Sequence, residues 1–262
     1  LFRSKKAIAL GMNPIIAIKM ATYNTARTYG LKRLGAIAPG YKADLVILDD
    51  LETMTVSQVI KDGKIISNET LAKVEPKPID EAILNTVKFD NLTSDKLKVK
   101  ALEKNYVIEM IPHQIITKKV YEEIPSENGY FKPNEIYSKL CVVERHRGTG
   151  NVAVAPLKGF GIRGGAIATS VAHDSHNIIA AGDNDEDIIL AVNHLKELQG
   201  GYVIAAEGKI IGELPLKVAG LISTLPSEQV QSITKQMLKQ ARDMGVPAYL
   251  DPFITLAFMA LP

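Results

Sequence analysis

Apolar positions recur at helical spacing in two stretches near the start of the chain, from about Lys5 to Gly11 and from Pro14 to Tyr29. Asn13-Pro14 supplies an N-cap followed by proline at the first helical position, and Gly30 supplies a C-terminal stop. Ile15, Ile18, Met20, Ala21 and Ala26, with few charges among them, predict that the second helix is buried on one broad face. The apolar run Leu45–Leu48, flanked by Asp44 and Asp49-Asp50, predicts a strand. Val59 to Ile66 then reads as two short strands joined by an Asp62-Gly63 hairpin turn. From about Leu71 to Pro133 the pattern weakens. Pro76, Pro78, Pro112, Pro125 and Pro133 punctuate it, and strand candidates lie at Lys98–Leu102, Tyr106–Ile111 and Ile115–Tyr121.

From about Ile136 the periodicity is clear again. Strands are predicted at 139–145, 151–156, 166–172, 177–181 and 201–206. Asp183 to Leu198 is a helix capped by Asp183 or Asn184, with acidic residues in its first turn and Gly200-Gly201 after its end. Glu207-Gly208-Lys209 makes a second hairpin turn. Leu225 to Met244 is a further helix, with Pro226-Ser227-Glu228 at its start and Gly245 after it. Strands and helices both mix and alternate, so the predicted class is α/β in the broad sense, a mixed α+β fold.

Composition narrows this picture only modestly. A hydrophobic fraction of 46% and a charged fraction of 23% over 262 residues are those of a soluble globular protein with one large or two ordinary domains. A formal net charge of +2, without a block of like charges, argues against nucleic acid or a membrane surface as a partner. No apolar run approaches the roughly 20 residues of a membrane span. The single Cys141, in the strand-like Leu140-Cys141-Val142-Val143, excludes an internal disulfide framework and a cysteine zinc cluster and fits a reducing cytoplasm. It reads as a small buried hydrophobe. The chain opens on Leu-Phe-Arg-Ser and stops just after an apolar stretch, Phe258 to Pro262, so the expectation is a piece of a longer protein.

The densest candidate chemistry is His173-Asp174-Ser175-His176-Asn177, two of the five histidines with a carboxylate, a hydroxyl and an amide, between two apolar segments. Such a knot is costly to bury unless each member is satisfied or bound to something. Two histidines three apart share a face on a helix and oppose each other on a strand, whereas a loop can turn both to one ligand. The functional reading is a metal pair, an acid/base group or a substrate loop with Asp174 as orienter. The structural alternative is a polar turn that caps its own backbone. No third metal ligand is evident.

The glycine run Lys158-Gly159-Phe160-Gly161-Ile162-Arg163-Gly164-Gly165 matches neither a Walker pattern nor a clean dinucleotide fingerprint, so a tight turn is favoured over a phosphate cradle. Glu144-Arg145-His146-Arg147 reads equally well as an anion-binding cluster or a solvated strand end. His113 and His194 read as surface or structural residues. Asp44 reads as a turn residue or as an anchor for the loop Pro39-Gly40-Tyr41. The H-x-E…P-C-x-x-C zinc deaminase signature, the G-x-S-x-G elbow and a His-x-His pair are all absent.

Met20-Ala21-Thr22-Tyr23-Asn24-Thr25-Ala26-Arg27, followed by Gly35-Ala36-Ile37-Ala38-Pro39-Gly40-Tyr41-Lys42-Ala43-Asp44-Leu45-Val46, resembles the end of an amidohydrolase-superfamily enzyme, where the last barrel helix feeds a small β-sandwich. Val143-Glu144-Arg145-His146, Lys158-Gly159-Phe160-Gly161, Gly165-Ala166-Ile167-Ala168, the histidine knot, Leu214-Pro215-Leu216 and Ala219-Gly220-Leu221 together resemble the bacterial and archaeal adenine deaminase family. The resemblance covers essentially the whole chain. It implies the last helices of a metal-dependent hydrolase barrel at 1–33, part of a β-sandwich at 34–72, connecting β-structure at 73–135 and an α/β C-terminal domain at 136–262.

It further implies hydrolysis of adenine to hypoxanthine and ammonia by a cytoplasmic enzyme whose divalent metal, manganese or iron, sits in a (β/α)₈ barrel. The strands carrying that family's His-x-His pair are not among these residues. The principal metal ligands are therefore expected upstream of Leu1, and the chain by itself is expected not to deaminate adenine. On this reading His173, Asp174 and His176 lie near the active site and Ser175 and Asn177 contact substrate. Adenine is the small-molecule partner, nucleic acid and membranes are not partners, and a homo-oligomer is left open. The alternatives are another amidohydrolase acting on a cyclic amide or an N-acetyl sugar, and a non-catalytic module for purine binding or subunit contact.

Overall fold

In the carboxy-terminal part of the chain, apolar alternation produces a sheet whose two faces carry side chains of different size. A computed structural model describes residues 2–75 and 77–261; Pro76, one of the punctuating prolines, and the end residues Leu1 and Pro262 lie outside the described residues. The chain divides into two compact units, Leu1–Pro78 and Ile79–Pro262.

In the first unit, α1 (Phe2–Ala9) precedes α2 (Pro14–Lys19), which runs through a π-helical turn at Met20–Asn24 into α3 (Thr25–Thr28). Asn13 caps α2 as predicted, its side chain accepting from Ile15 N (3.0 Å) and Ile16 N (3.3 Å), with Pro14 at the first helical position. The broad buried face expected of this helix is not formed. Ala17 and Ala26 are buried, whereas Ile15, Ile16 and Met20 remain half or more exposed. The described part of this unit offers only a three-stranded sheet and short helices to cover them. That sheet is antiparallel, β1 (Leu45–Leu48), β2 (Val56–Lys61) and β3 (Lys64–Ile66) in that order, and a short α4 (Asn68–Ala72) follows.

The predicted hairpin is present between β2 and β3. Asp62 and Gly63 both take positive φ (48° and 76°), the conformation that such a two-residue turn requires. Asp44 anchors this turn and not the 39–41 loop. It accepts from Asp62 N (2.8 Å) and from Lys61 Nζ (2.6 Å), and the Lys61 hydrogen bond holds its carboxyl below the ordinary range.

The second unit is built on an eight-stranded sheet. Its strands are β4 (Asn105–Met110), β5 (Thr117–Glu122), β8 (Tyr137–Val143), β9 (Val152–Lys158), β10 (Gly165–Thr169), β11 (Ile178–Gly182), β12 (Gly201–Ala206) and β13 (Lys209–Pro215). A two-residue pair, β6 (Ser126–Glu127) and β7 (Tyr130–Phe131), forms its own ribbon. The sheet order is β13-β12-β10-β11-β8-β9-β4-β5, antiparallel throughout except for the parallel β4–β9 pair. Residues 105–122, read from sequence as part of a connecting segment, therefore supply two strands of this sheet. Lys98–Leu102 is not a strand; a single bridge, Lys100 to Tyr130, is its only ladder contact among the described residues.

β10 and β11 are buried along their whole length, and residue parity sorts their side chains. Ala166, Ala168, Ala180 and Ala205 face α5 (Asp185–Leu198), which inserts Ile188, Ala191, Val192 and Leu195 at helical spacing. Small sheet residues let that helix approach closely. Ile167, Ile179, Ala181 and Ile204 face the opposite layer, made by α6 (Ser227–Asp243) and α7 (Pro252–Phe258) through Met237, Ala241, Phe253 and Leu256. The result is a mixed α+β unit with helices on both faces of its sheet. Cys141 in β8 is fully buried, and desolvation pushes its thiol up to about 12, so it is an inert core residue.

Candidate functional site

The histidine knot forms the loop between β10 and β11. Where β10 ends at Thr169, side-chain hydrogen bonds join the last backbone one, Ser170 N to Gly201 O (3.1 Å). Thr169 Oγ1 accepts from Val171 N (2.9 Å), and Ser170 Oγ donates to Gly220 O (2.6 Å) and accepts from Gly201 N (2.8 Å). The predicted strand 166–172 is shortened by this, and residues 170–177 are free to turn.

The two histidines part company. His173 is exposed, stacks on Phe258 of α7 (centroids 4.9 Å apart, planes 18° apart) and donates from Nδ1 to Asp174 Oδ1 (3.0 Å). Its amide is tied to Ala257 O (2.7 Å). Asp174 and Ser175 are exposed. His176, at φ 49°, is turned inward and half-buried, its amide bonded to Ala172 O (2.7 Å).

Among the described residues, three buried side-chain nitrogen or oxygen atoms have no hydrogen-bond partner: His176 Nδ1, Asn177 Oδ1 and Gln240 Oε1. Two of the three belong to consecutive residues of this loop. Buried polar atoms are nearly always paired, so an adjacent orphaned pair marks a place where a partner is expected. Asn177 Oδ1 can only accept a hydrogen bond, and His176 Nδ1 donates or accepts according to the ring tautomer. The loop alone does not suit a metal: among the described residues no three His, Cys, Asp or Glu side chains converge to hold one.

Residues of the Glu144–Arg147 run hold this loop in place. Arg145, 1% exposed, donates from Nε to the His176 carbonyl and from Nη2 to Ala219 O (3.1 Å). His146 donates from Nε2 to Ser175 O (2.8 Å). Glu144 turns back onto its own chain, accepting from the amides of His146, Arg147 (2.8 Å) and Thr149 (3.0 Å). The Thr149 amide leads the hydrogen bonds that hold its carboxyl down to about 2. In the run Glu144-Arg145-His146-Arg147, therefore, Arg145 is buried and held by carbonyls and not by an anion, while His146 and Arg147 are exposed as expected of a solvated strand end. The one available signal was strand parity, which continues from β8 and points Arg145 inward.

The glycine run is likewise explained without a ligand. Gly164 N and Gly165 N donate to the Asp183 carboxylate (2.6 and 2.9 Å), so the amides that a phosphate cradle would offer are already taken. Asn184, and not Asp183, caps α5, accepting from Asp187 N (2.8 Å). His194 lies between Glu197 (3.1 Å) and Glu213 (2.6 Å), and His113 packs on Tyr249. In the first unit an apolar cleft of about 590 Å³, between Ile18 and Ala21 on one side and Leu45 to Ile47 on the other, has Asp44 at its edge. That carboxylate is committed to the hairpin turn. No helix of the described residues is long and apolar enough to cross a membrane.

Similarity to known proteins agrees with the resemblance seen in the residues. The adenine deaminase C-terminal domain family matches residues 114–262, and the amidohydrolase family matches residues 3–66. The chain is 48% identical to adenine deaminase of Desulfitobacterium hafniense (strain Y51) over 262 residues, covering 100% of this chain and 46% of that protein. Adenine deaminase 2 of Carboxydothermus hydrogenoformans is 43% identical, with 98% of this chain and 46% of the relative covered. Adenine deaminase of Petrotoga mobilis is 42% identical over 268 residues, at 100% and 46% coverage. The chain thus spans a little under half the length of the curated relatives it matches. With the C-terminal domain matched over more than half of its length, the chain belongs to the adenine deaminase family.

Proposed function

We propose that the whole protein is a cytoplasmic metal-dependent aminohydrolase that converts adenine and water to hypoxanthine and ammonia, and that the 173–177 loop of this chain contributes to binding the purine. The adenine deaminase relatives support the reaction class, and the single buried Cys141 agrees with a reducing compartment. The metal, manganese or iron, supplies activation of the attacking water when bound. Among the described residues no donor set fits it, so its ligands are assigned to the rest of the protein.

The observation that carries the loop's role is the orphaned pair, His176 Nδ1 and Asn177 Oδ1. Asn177 Oδ1 accepts from a purine N–H, and His176 Nδ1 meets a ring nitrogen or the exocyclic amine. His173 and Asp174, exposed and bonded to each other, form the outer rim. The test is to replace His173 and His176 by Ala in the whole protein and to measure ammonia release from adenine together with bound metal. Expected is a drop in kcat/KM of at least about tenfold for His176→Ala at unchanged metal content, the scale of one lost buried hydrogen bond of about 1.4 kcal/mol. Unchanged turnover in both variants would make the loop a structural turn.

A further inference from the structure

Arg145 is a full positive charge, 1% exposed, and among the described residues no carboxylate is paired with it. Burying an arginine without a counter-charge is costly unless its donors find acceptors of fixed geometry. It finds them in three separate segments. Nε donates to the His176 carbonyl, Nη2 to Ala219 O (3.1 Å), and Nη1 lies 3.4 Å from Thr86 Oγ1. A Cβ on residue 220 would stand 2.7 Å from Nη1, so only glycine lets the guanidinium lie flat against the 219–220 turn.

Register explains why the acceptor is His176. β8 and β11 pair antiparallel with Val143 opposite Ile178, and continuing that register by two residues sets Arg145 across from His176. The next residue, His146, reaches Ser175 O (2.8 Å). Two consecutive side chains at the end of one strand thus hold two consecutive carbonyls of the loop.

We propose that Arg145, assisted by His146, is a positioning residue of the substrate site, fixing the Ser175–His176 backbone and so the placement of the unpartnered His176 Nδ1 and Asn177 Oδ1. This inference rests on the placement of the loop in that site. A lysine is not a substitute, because one ammonium cannot span three acceptors in a planar fork.

The test combines hydrogen exchange on the 262-residue chain with steady-state kinetics of the whole protein on adenine. Arg145→Lys is expected to speed exchange of the His176 amide at least about tenfold while the β12 amides of Val203 to Ala205 stay protected. KM for adenine is expected to rise about tenfold with kcat changed less than about threefold. His146→Ala, at an exposed position, is expected to shift both readouts in the same direction by about threefold, and it decides the matter if Arg145→Lys does not fold.

Faster exchange spread through β12, or kcat and KM unchanged in both variants while His176→Ala raises KM, overturns the role of Arg145 and leaves the loop's role standing. If His176→Ala also leaves kcat/KM unchanged, the loop is not in the substrate site and the inference falls with it.

Discussion

Asp183 offers the sharpest test of how the glycine run is held. Its carboxylate accepts from Gly164 N at 2.6 Å, Gly165 N at 2.9 Å and Asn184 Nδ2 at 3.1 Å. Gly164 is exposed, so in Asp183→Ala water replaces that partner and the net loss is about 0.5–1 kcal/mol. Gly165 is buried at the start of β10, and a buried N–H left unsatisfied costs about 1–3 kcal/mol. Together these give about 1.5–4 kcal/mol. For a unit of this size each kcal/mol lowers the midpoint by about 2–4 °C, so the transition of residues 79–262 should fall by roughly 3–16 °C. Asp183→Asn keeps one acceptor and should lose about half as much. Differential scanning calorimetry measures the shift, and hydrogen exchange at the Gly165 amide localises it. If both variants stay within about 0.5 kcal/mol of the parent, the carboxylate is an ordinary surface group and the run is held by something else.

Two further outcomes follow from titratable groups in β8 and the turn after it. The Glu144 carboxyl is depressed from 4.5 to about 2, chiefly by the Thr149 amide. A depressed carboxyl contributes stability that is complete above about 4.5 and is lost as pH falls through about 2. Carbon-13 titration should place the Glu144 midpoint near 2, Glu144→Gln should flatten the acid limb of the stability curve, and a midpoint near 4.5 would remove the argument. Cys141, with its thiol pushed up to about 12 by complete burial, should be inert to a thiol reagent at pH 8 in the folded chain and react fully in denaturant. Native-state labelling faster than unfolding would show the strand to be open.

What could be read from the chain before folding was whatever a single element reports about itself. Asn13-Pro14 announced the start of α2, Asp62-Gly63 the hairpin, and the helices 185–198 and 227–243 stood out because apolar residues recurred at helical spacing. The loop 173–177 was marked by composition alone, since polar and titratable residues between apolar strands are rare. Periodicity shows which face of α2 is apolar; among the described residues Ala17 and Ala26 are covered, but Ile15, Ile16 and Met20 are left exposed. The 105–122 strands were undervalued because prolines around them obscured a pairing, β4 with β9, that joins residues far apart in sequence.

Sequence by itself therefore determined the class of fold, most element positions, the inert cysteine and the family. Tertiary structure alone decided what each polar group meets. Strand parity points Arg145 inward, but its acceptors lie 31 and 74 residues away, at His176 and Ala219. The glycine amides look available until Asp183, 18 and 19 residues on, occupies them. Hydrophobic burial is a property of periodic stretches and survives in one dimension. Hydrogen-bond satisfaction is a property of pairs, and its second member is brought in by the fold.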